Sequence, residues 1–407
     1  MKKNVIIGQS GGPTAVINGS LYGAACEALK KTEQIEHVYG MINGIEGFLN
    51  NKLMDMSTLV PTGELELLKT TPSSYLGSCR FKLPESLSDE VYPKLFEKFE
   101  QYNIGCFFYI GGNDSMDTVS KLSRYAEQTG SDIRILGLPK TIDNDLVETD
   151  HTPGFASAAK YVATTVREIA TDAAVYDNKK SVTIVEIMGR HAGWLAAASV
   201  LARRFDGDNP VLIYLPEVAF DQEDFIQKVQ TALETTPNLI VCISEGINDG
   251  NGMFICELAS DVGVDNFGHK MLTGSGKYLE NLVKEKLGVK VRSVELNVSQ
   301  RCSSACLAKT DLDEAIASGA FAVNAALSGK TGLMVAFDRI SDVPYEIKCS
   351  LKDVNIICNK EKTVPLEWIT KDGSDISDAF IAYTRPLIQG DVEVPKKDGL
   401  PHFAFRR

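Results

Sequence analysis

Apolar residues follow two alternating rhythms along this chain. Short runs such as Val5-Ile6-Ile7, Cys106-Phe107-Phe108-Tyr109-Ile110 and Ile133 to Leu138 are too brief for helices and rich in β-branched and aromatic residues. They read as strands buried on both faces. Between them lie longer stretches with apolar positions at helical spacing, beginning with the alanine-rich segment 15–31. The full reading predicts strands at 5–8, 37–41, 106–110, 133–138, 181–187, 211–215, 239–243, 291–296 and 331–337. Helices are predicted at 15–31, 154–171, 196–203, 274–287 and 311–328, with Asp311 as an N-cap and Gly288 as a C-cap.

Such alternation defines an α/β protein with mostly parallel sheets. So many strands in one sheet would be unusual, and two doubly wound lobes with the active site in the cleft between them fit better. One lobe is expected from 1–153 plus about 300–340, the other from 154–299. Beyond Asp338 the alternation is lost, and Pro344, Pro365, Pro386 and Pro395 punctuate a mixed extension, 341–407, expected to pack on the second lobe.

Open α/β sheets bind ligands at the carboxyl ends of their strands, so the polar segments that follow the apolar runs come next. Gln9-Ser10-Gly11-Gly12-Pro13 follows the first run, and Gly111-Gly112-Asn113-Asp114-Ser115 follows 106–110 and opens a helix. Paired glycines ahead of a helix start let backbone N–H groups approach a phosphate; the first pair alone is equally readable as a tight structural turn, but two such turns in one half of the chain are harder to dismiss than either alone. Pro139-Lys140-Thr141-Ile142-Asp143-Asn144-Asp145 follows 133–138. Its two carboxylates and lysine offer a base, a metal or hydroxyl acceptor and a cation, or else an acidic turn bonding its own backbone. Arg80, in the small-residue loop Gly77-Ser78-Cys79-Arg80, is a surface charge or an anion clamp. Arg190 ends a strand, where bidentate phosphate recognition is favoured, and the neighbouring His191 reads as structural.

A net charge of −12 leaves no basic face for nucleic acid or an anionic membrane. No apolar run reaches the length of a membrane span, and the first is far shorter than a signal-peptide core, so a cytoplasmic protein is expected. The 9 cysteines are scattered, odd in number and without a Cys-x-x-Cys pair, against both a disulfide framework and a zinc site.

Taken in order, Gly111-Gly112-Asn113-Asp114-Ser115, Pro139 to Asp145, Met188-Gly189-Arg190, Ser244-Glu245-Gly246 and Gln300-Arg301 resemble the phosphofructokinase family over roughly residues 4 to 337. The resemblance implies Mg²⁺-assisted transfer of a phosphoryl group to the 1-hydroxyl of fructose 6-phosphate. It makes 1–153 plus about 300–340 the donor lobe and 154–299 the sugar-phosphate lobe. Asp143 matches the general base, flanked by Thr141, Ile142 and Asp145. Met188, Gly189, Arg190, Glu245 and Arg301 match sugar-phosphate binders, and Arg292 matches an arginine that grips the 6-phosphate, often across a subunit boundary. A homodimer or homotetramer is therefore expected. Lys180 stands near a second such arginine of the family, and Val298 where the family has a histidine. Gly12 and Arg80 match donor contacts, and Asn113 matches the family's metal-binding aspartate.

Donor choice follows from Asp114 and Lys140. Relatives that use ATP carry glycine at both positions, whereas those that use pyrophosphate carry Asp and Lys. An Asp side chain intrudes where a nucleotide's α-phosphate and ribose would run, and Lys140 supplies charge for a small, highly anionic donor. The resemblance thus implies a pyrophosphate enzyme, with an ATP-dependent enzyme and a silent sugar-phosphate-binding subunit as the alternatives.

Overall fold

The computed structural model describes residues 2–175, 179–258 and 274–406, and the chain forms two compact units. Unit one comprises Met1–Ser157, Arg301–Glu361 and Gln389–Arg407; unit two comprises Ala158–Gln300 and Lys362–Ile388. The strands in chain order are β1 (Lys3–Gln9), β2 (Ile35–Met41), β3 (Leu53–Asp55), β4 (Ile104–Gly111), β5 (Arg134–Pro139), β6 (Ser181–Ile187), β7 (Leu212–Tyr214), β8 (Asn238–Ser244), β9 (Lys290–Glu295), β10 (Leu333–Asp342) and β11 (Tyr345–Asp353). A short two-stranded ribbon follows near the carboxyl end.

Unit one is built on a seven-stranded sheet in the order β11-β10-β5-β4-β1-β2-β3. Strands β10, β5, β4, β1 and β2 run parallel, while β3 and β11 close the two edges antiparallel. Alternate residues of the central strands enter two different cores. Val5, Ile7, Phe108, Ile110, Leu136 and Leu138 pack on one side, and Ile6, Phe107, Tyr109 and Ile135 on the other. Both faces are covered by helices, which is why these strands read as unbroken apolar runs. Unit two holds an all-parallel sheet ordered β7-β8-β6-β9, with the helices Gln222–Thr235 and Ser275–Leu287 covering one face. Gly288 ends the second of these helices in the left-handed conformation (φ 64°), as its sequence position predicts.

Two expectations are corrected. The extension does not pack whole on the second unit. Residues 341–361 and 389–407 belong to unit one, where β11 pairs with β10, and only 362–388 belong to unit two. There Trp368, Phe380 and Tyr383 gather around Trp194. Asp311 is not the N-cap of its own helix, Lys309–Leu327, whose cap is Ala308. It is buried and accepts hydrogen bonds from Gly154 N and Ser157 N at 2.9 Å each. Asp311 therefore caps the start of a different helix, Phe155–Ala173.

Candidate active site

In unit one the carboxyl ends of β1, β4 and β5 lie side by side, since Gln9 pairs with Ile110 and Gly111 with Pro139. The chain leaves β1 toward β2 on one side and finds β4 on the other, so the strand order reverses between β1 and β4. That is the position where doubly wound sheets bind ligands. Gly11 has φ +77°, and a side chain there would bring Cβ to 3.2 Å from Lys140 Nζ. The glycine thus lets the first turn close directly over the lysine. Gly11, Gly12, Pro13, Ser78, Cys79, Arg80 and Arg301 line a cavity of about 270 Å³. Ser78 Oγ donates to Gly11 O at 2.7 Å, tying the arginine-bearing loop to the glycine turn.

Lys140 is buried beside this turn, and its own N–H donates to Gly111 O at 3.0 Å. Burial pulls the ammonium pKa down to about 8, against the opposing charges of Asp143 and Asp145. Those carboxylates and Asp114 act on Lys140 through charge, without a hydrogen-bonded ion pair among the described residues. A buried cation in that condition suits an anionic ligand. Asp143 and Thr141 are doubly joined: Thr141 Oγ1 donates to Asp143 Oδ2 and accepts from Asp143 N, both at 3.0 Å. Burial raises the Asp143 pKa, partly offset by Thr141, Lys140 and Arg301. A carboxylate so raised is a better proton acceptor near neutral pH.

Asp145 is pushed up to about 7 by burial, then by repulsion from Asp143 and Glu361. Its Oδ1 is buried without a hydrogen-bond partner. An acidic oxygen in that state fits a divalent cation, so the residues present are compatible with Mg²⁺. Among the described residues no three His, Cys, Asp or Glu side chains form a ready-made metal cage. That suits a metal bound by one or two carboxylates together with substrate phosphates and water. Asn113, the sequence's metal candidate, is engaged elsewhere. Its Nδ2 donates to Lys360 O at 2.5 Å and its Oδ1 accepts from Asn359 N at 2.8 Å. Asn113 therefore clamps the 359–360 backbone, a task an aspartate without an amide donor could not complete. Glu361 follows immediately. Asp114, next to Asn113, is exposed in the first turn of the helix Asn113–Thr129.

In unit two β6 and β8 end together, with Ile187 paired to Ser244, which brings Met188-Gly189-Arg190 against Ser244-Glu245-Gly246. Gly189 has φ +148°, and a Cβ there would meet Ala192 O at 2.7 Å and Ser244 Oγ at 2.8 Å. Ser244 Oγ donates to Gly189 O at 2.5 Å, Gly246 N to the same oxygen at 3.1 Å, and Gly189 N to Glu245 Oε1 at 3.4 Å. Buried Gln300 accepts from Met188 N at 3.3 Å. Met188, Gly189, Arg190 and Glu245 are thus one cluster held by backbone bonds. Arg292 is exposed on the edge strand β9, and Lys180 and Val298 are exposed as well.

The structure groups the sequence candidates somewhat differently from expectation. Gly12, Arg80 and Arg301 share the cavity of unit one, so Arg301 lines the same cavity as the donor candidates. Ser78, Gln300 and Glu361 were not anticipated. Ser78 and Gln300 were signalled only by their neighbours Arg80 and Arg301, and nothing local marks Glu361.

A family profile for phosphofructokinases matches residues 4–327, and the chain belongs to that family. Within it, the chain is 41% identical over 403 residues to a pyrophosphate–fructose 6-phosphate 1-phosphotransferase of Xanthomonas campestris, covering 98% of this chain and 95% of that one. A Halomonas elongata protein of the same name is 38% identical with the same coverage. The crystal structure of a pyrophosphate-dependent phosphofructokinase from Marinobacter aquaeolei superposes with a TM-score of 0.89 at 37% identity, covering 99% of this chain and 96% of that one.

Proposed function

We infer that this chain transfers a phosphoryl group from pyrophosphate to the 1-hydroxyl of fructose 6-phosphate, giving fructose 1,6-bisphosphate and orthophosphate. The observation that carries this reading is Lys140, a buried ammonium without a hydrogen-bonded carboxylate among the described residues, set between two glycine turns and beside a raised aspartate. Relatives of matching length that bear the pyrophosphate name support the choice of donor.

Asp143 accepts the proton of the attacking hydroxyl, and Thr141 holds the carboxylate that receives it. Lys140, with Arg301 and Arg80, holds the negative charge that gathers on the departing phosphate. Asp114, exposed in the first turn of its helix, excludes a nucleotide by its bulk and its repulsion of the α-phosphate. Met188, Gly189, Arg190 and Glu245 bind the sugar phosphate. Arg292, exposed on an edge strand, reaches a 6-phosphate in a homodimer or homotetramer. Asp145 would hold Mg²⁺ together with substrate phosphates and water, and the metal when bound would neutralise phosphate charge. Among the described residues no helix is long and apolar enough to cross a membrane, and we place the protein in the cytoplasm.

Phosphorus NMR of a mixture containing fructose 6-phosphate, pyrophosphate and Mg²⁺ tests the reading. A sugar bisphosphate and orthophosphate should appear together, and added orthophosphate should drive the reaction back. Pyrophosphate lost to orthophosphate alone, with the sugar unchanged, would mark a pyrophosphatase and overturn the proposal.

A further inference from the structure

The turn that carries Thr141, Asp143 and Asp145 is braced from further down the chain. Thr152 N donates to Asn144 Oδ1 at 3.1 Å, and the Thr152 hydroxyl donates to Thr141 O at 2.9 Å. Asn144 itself sits at φ +52°, so its neighbours on either side depend on that brace for their direction. The residue before Thr152 is His151, which is fully buried. Its Nδ1 lies 2.8 Å from Asp150 Oδ1 and its Nε2 2.6 Å from Glu314 Oε2. With a carboxylate at each nitrogen, both nitrogens must donate, and the ring is an imidazolium.

Both carboxylates are themselves anchored to separate elements. Glu314, on the helix Lys309–Leu327, accepts from Tyr345 of β11 at 2.7 Å. Asp150 is gripped by Arg339 of β10 at 2.8 Å, and Asp150 N donates to Phe337 O at 2.9 Å. His151 and Arg339 thus meet the carboxylates of Asp150 and Glu314, with Asp342 at the exposed side of Arg339 at 3.0 Å, in a group that ties the end of the catalytic turn to one helix and two strands. Such a group is more than a packing contact. A neutral histidine could satisfy only one of its two acceptors, leaving a buried carboxylate short of a donor.

We propose that His151 is a positioning residue for phosphoryl transfer. It fixes Thr152, and through Thr152 it fixes Thr141 and Asn144, so that Asp143 and Asp145 are aimed before substrate binds. The inference rests on the reading of Asp143 as the proton acceptor. Preorganisation of this kind acts on the chemical step, since a reacting group displaced by about 1 Å can cost roughly 10²-fold in rate.

The test compares His151→Gln with Val335→Ala, a truncation in β10 within the apolar cluster of Leu136, Leu138 and Val323. Both variants should lower the thermal midpoint. Assayed well below it, Val335→Ala should keep the wild-type kcat. His151→Gln should lose about ten- to a hundredfold in kcat, with KM for both substrates within about twofold of wild type. Should His151→Gln fail to fold, Glu314→Gln keeps an acceptor for Nε2–H, removes the charge and should still lower kcat by a smaller factor. A wild-type kcat in the folded histidine variant, or in Glu314→Gln where that one must stand in, would overturn the proposal. Inactive wild-type protein would instead sink the phosphotransferase reading on which it rests.

Discussion

Thr141 and Asp143 satisfy each other in both directions: the Thr141 hydroxyl donates to Asp143 Oδ2 and accepts from Asp143 N, each at 3.0 Å. One hydroxyl therefore sets the backbone of the turn and the direction of its carboxylate. Thr141→Val keeps the shape and removes both bonds, leaving a half-buried N–H without its acceptor, a cost of about 1 kcal/mol. It should lower kcat by about tenfold. Because the Thr141 bond lowers the Asp143 pKa, its loss should also move the acid limb of the rate profile to higher pH. A profile identical to wild type would show that the hydroxyl does not govern the base.

Asp143→Ser should reduce kcat by about 10²–10⁴-fold while KM for fructose 6-phosphate stays near wild type, because it removes a proton acceptor and little ground-state binding. Steady-state kinetics with sugar as the varied substrate decide this. A change confined to KM would make Asp143 a binding residue.

The lines of the fold that were legible in sequence are those with physics local to them. Phe107, Phe108 and Tyr109 advertise a strand because both faces of β4 are covered, and the glycine turns after β1 and β4 advertise a ligand site because the following helix starts are adjacent in the chain. What sequence did not give depends on distant partners. Asp311 looks like the cap of its own helix, but its two donors, Gly154 and Ser157, lie far upstream. Asn113 looks like a weakened metal ligand until Asn359 and Lys360 are seen at its amide. β11 was missed because its residues are mostly half-exposed, and an antiparallel edge strand after Val343-Pro344 carries no apolar run.

Stability should depend on pH through His151. Burial alone would lower its pKa, but Glu314 and Asp150 reverse this and raise it from 6.5 to about 9. Arg339, Tyr345, Asp311, Asp342 and Cys349 are the other ionisable groups around these partners among the described residues. A group raised in the folded state stabilises fully below its unfolded value of 6.5, and that stabilisation is lost as pH rises through about 9. The thermal midpoint of wild type should therefore fall between these values, and that fall should be smaller in His151→Gln. Parallel curves for the two proteins would contradict the assignment.

Donor choice should respond to Asp114 and Lys140 separately, since Asp114 is exposed while Lys140 is buried and no hydrogen-bonded pair joins them. Lys140→Gly should damage pyrophosphate turnover and gain nothing with ATP. Asp114→Gly should leave pyrophosphate turnover largely intact and raise ATP turnover to a weak but measurable level. Initial rates with each donor check both, and loss of pyrophosphate turnover in Asp114→Gly alone would show that the aspartate serves the reaction instead of excluding nucleotide.

The most direct measurement is kcat/KM of the wild-type protein for pyrophosphate and for ATP, side by side, with saturating fructose 6-phosphate and Mg²⁺. The structure predicts turnover with pyrophosphate and a value for ATP lower by at least about a hundredfold, roughly 2.7 kcal/mol of discrimination. Efficient turnover with ATP and none with pyrophosphate would contradict the roles given to Lys140 and Asp114.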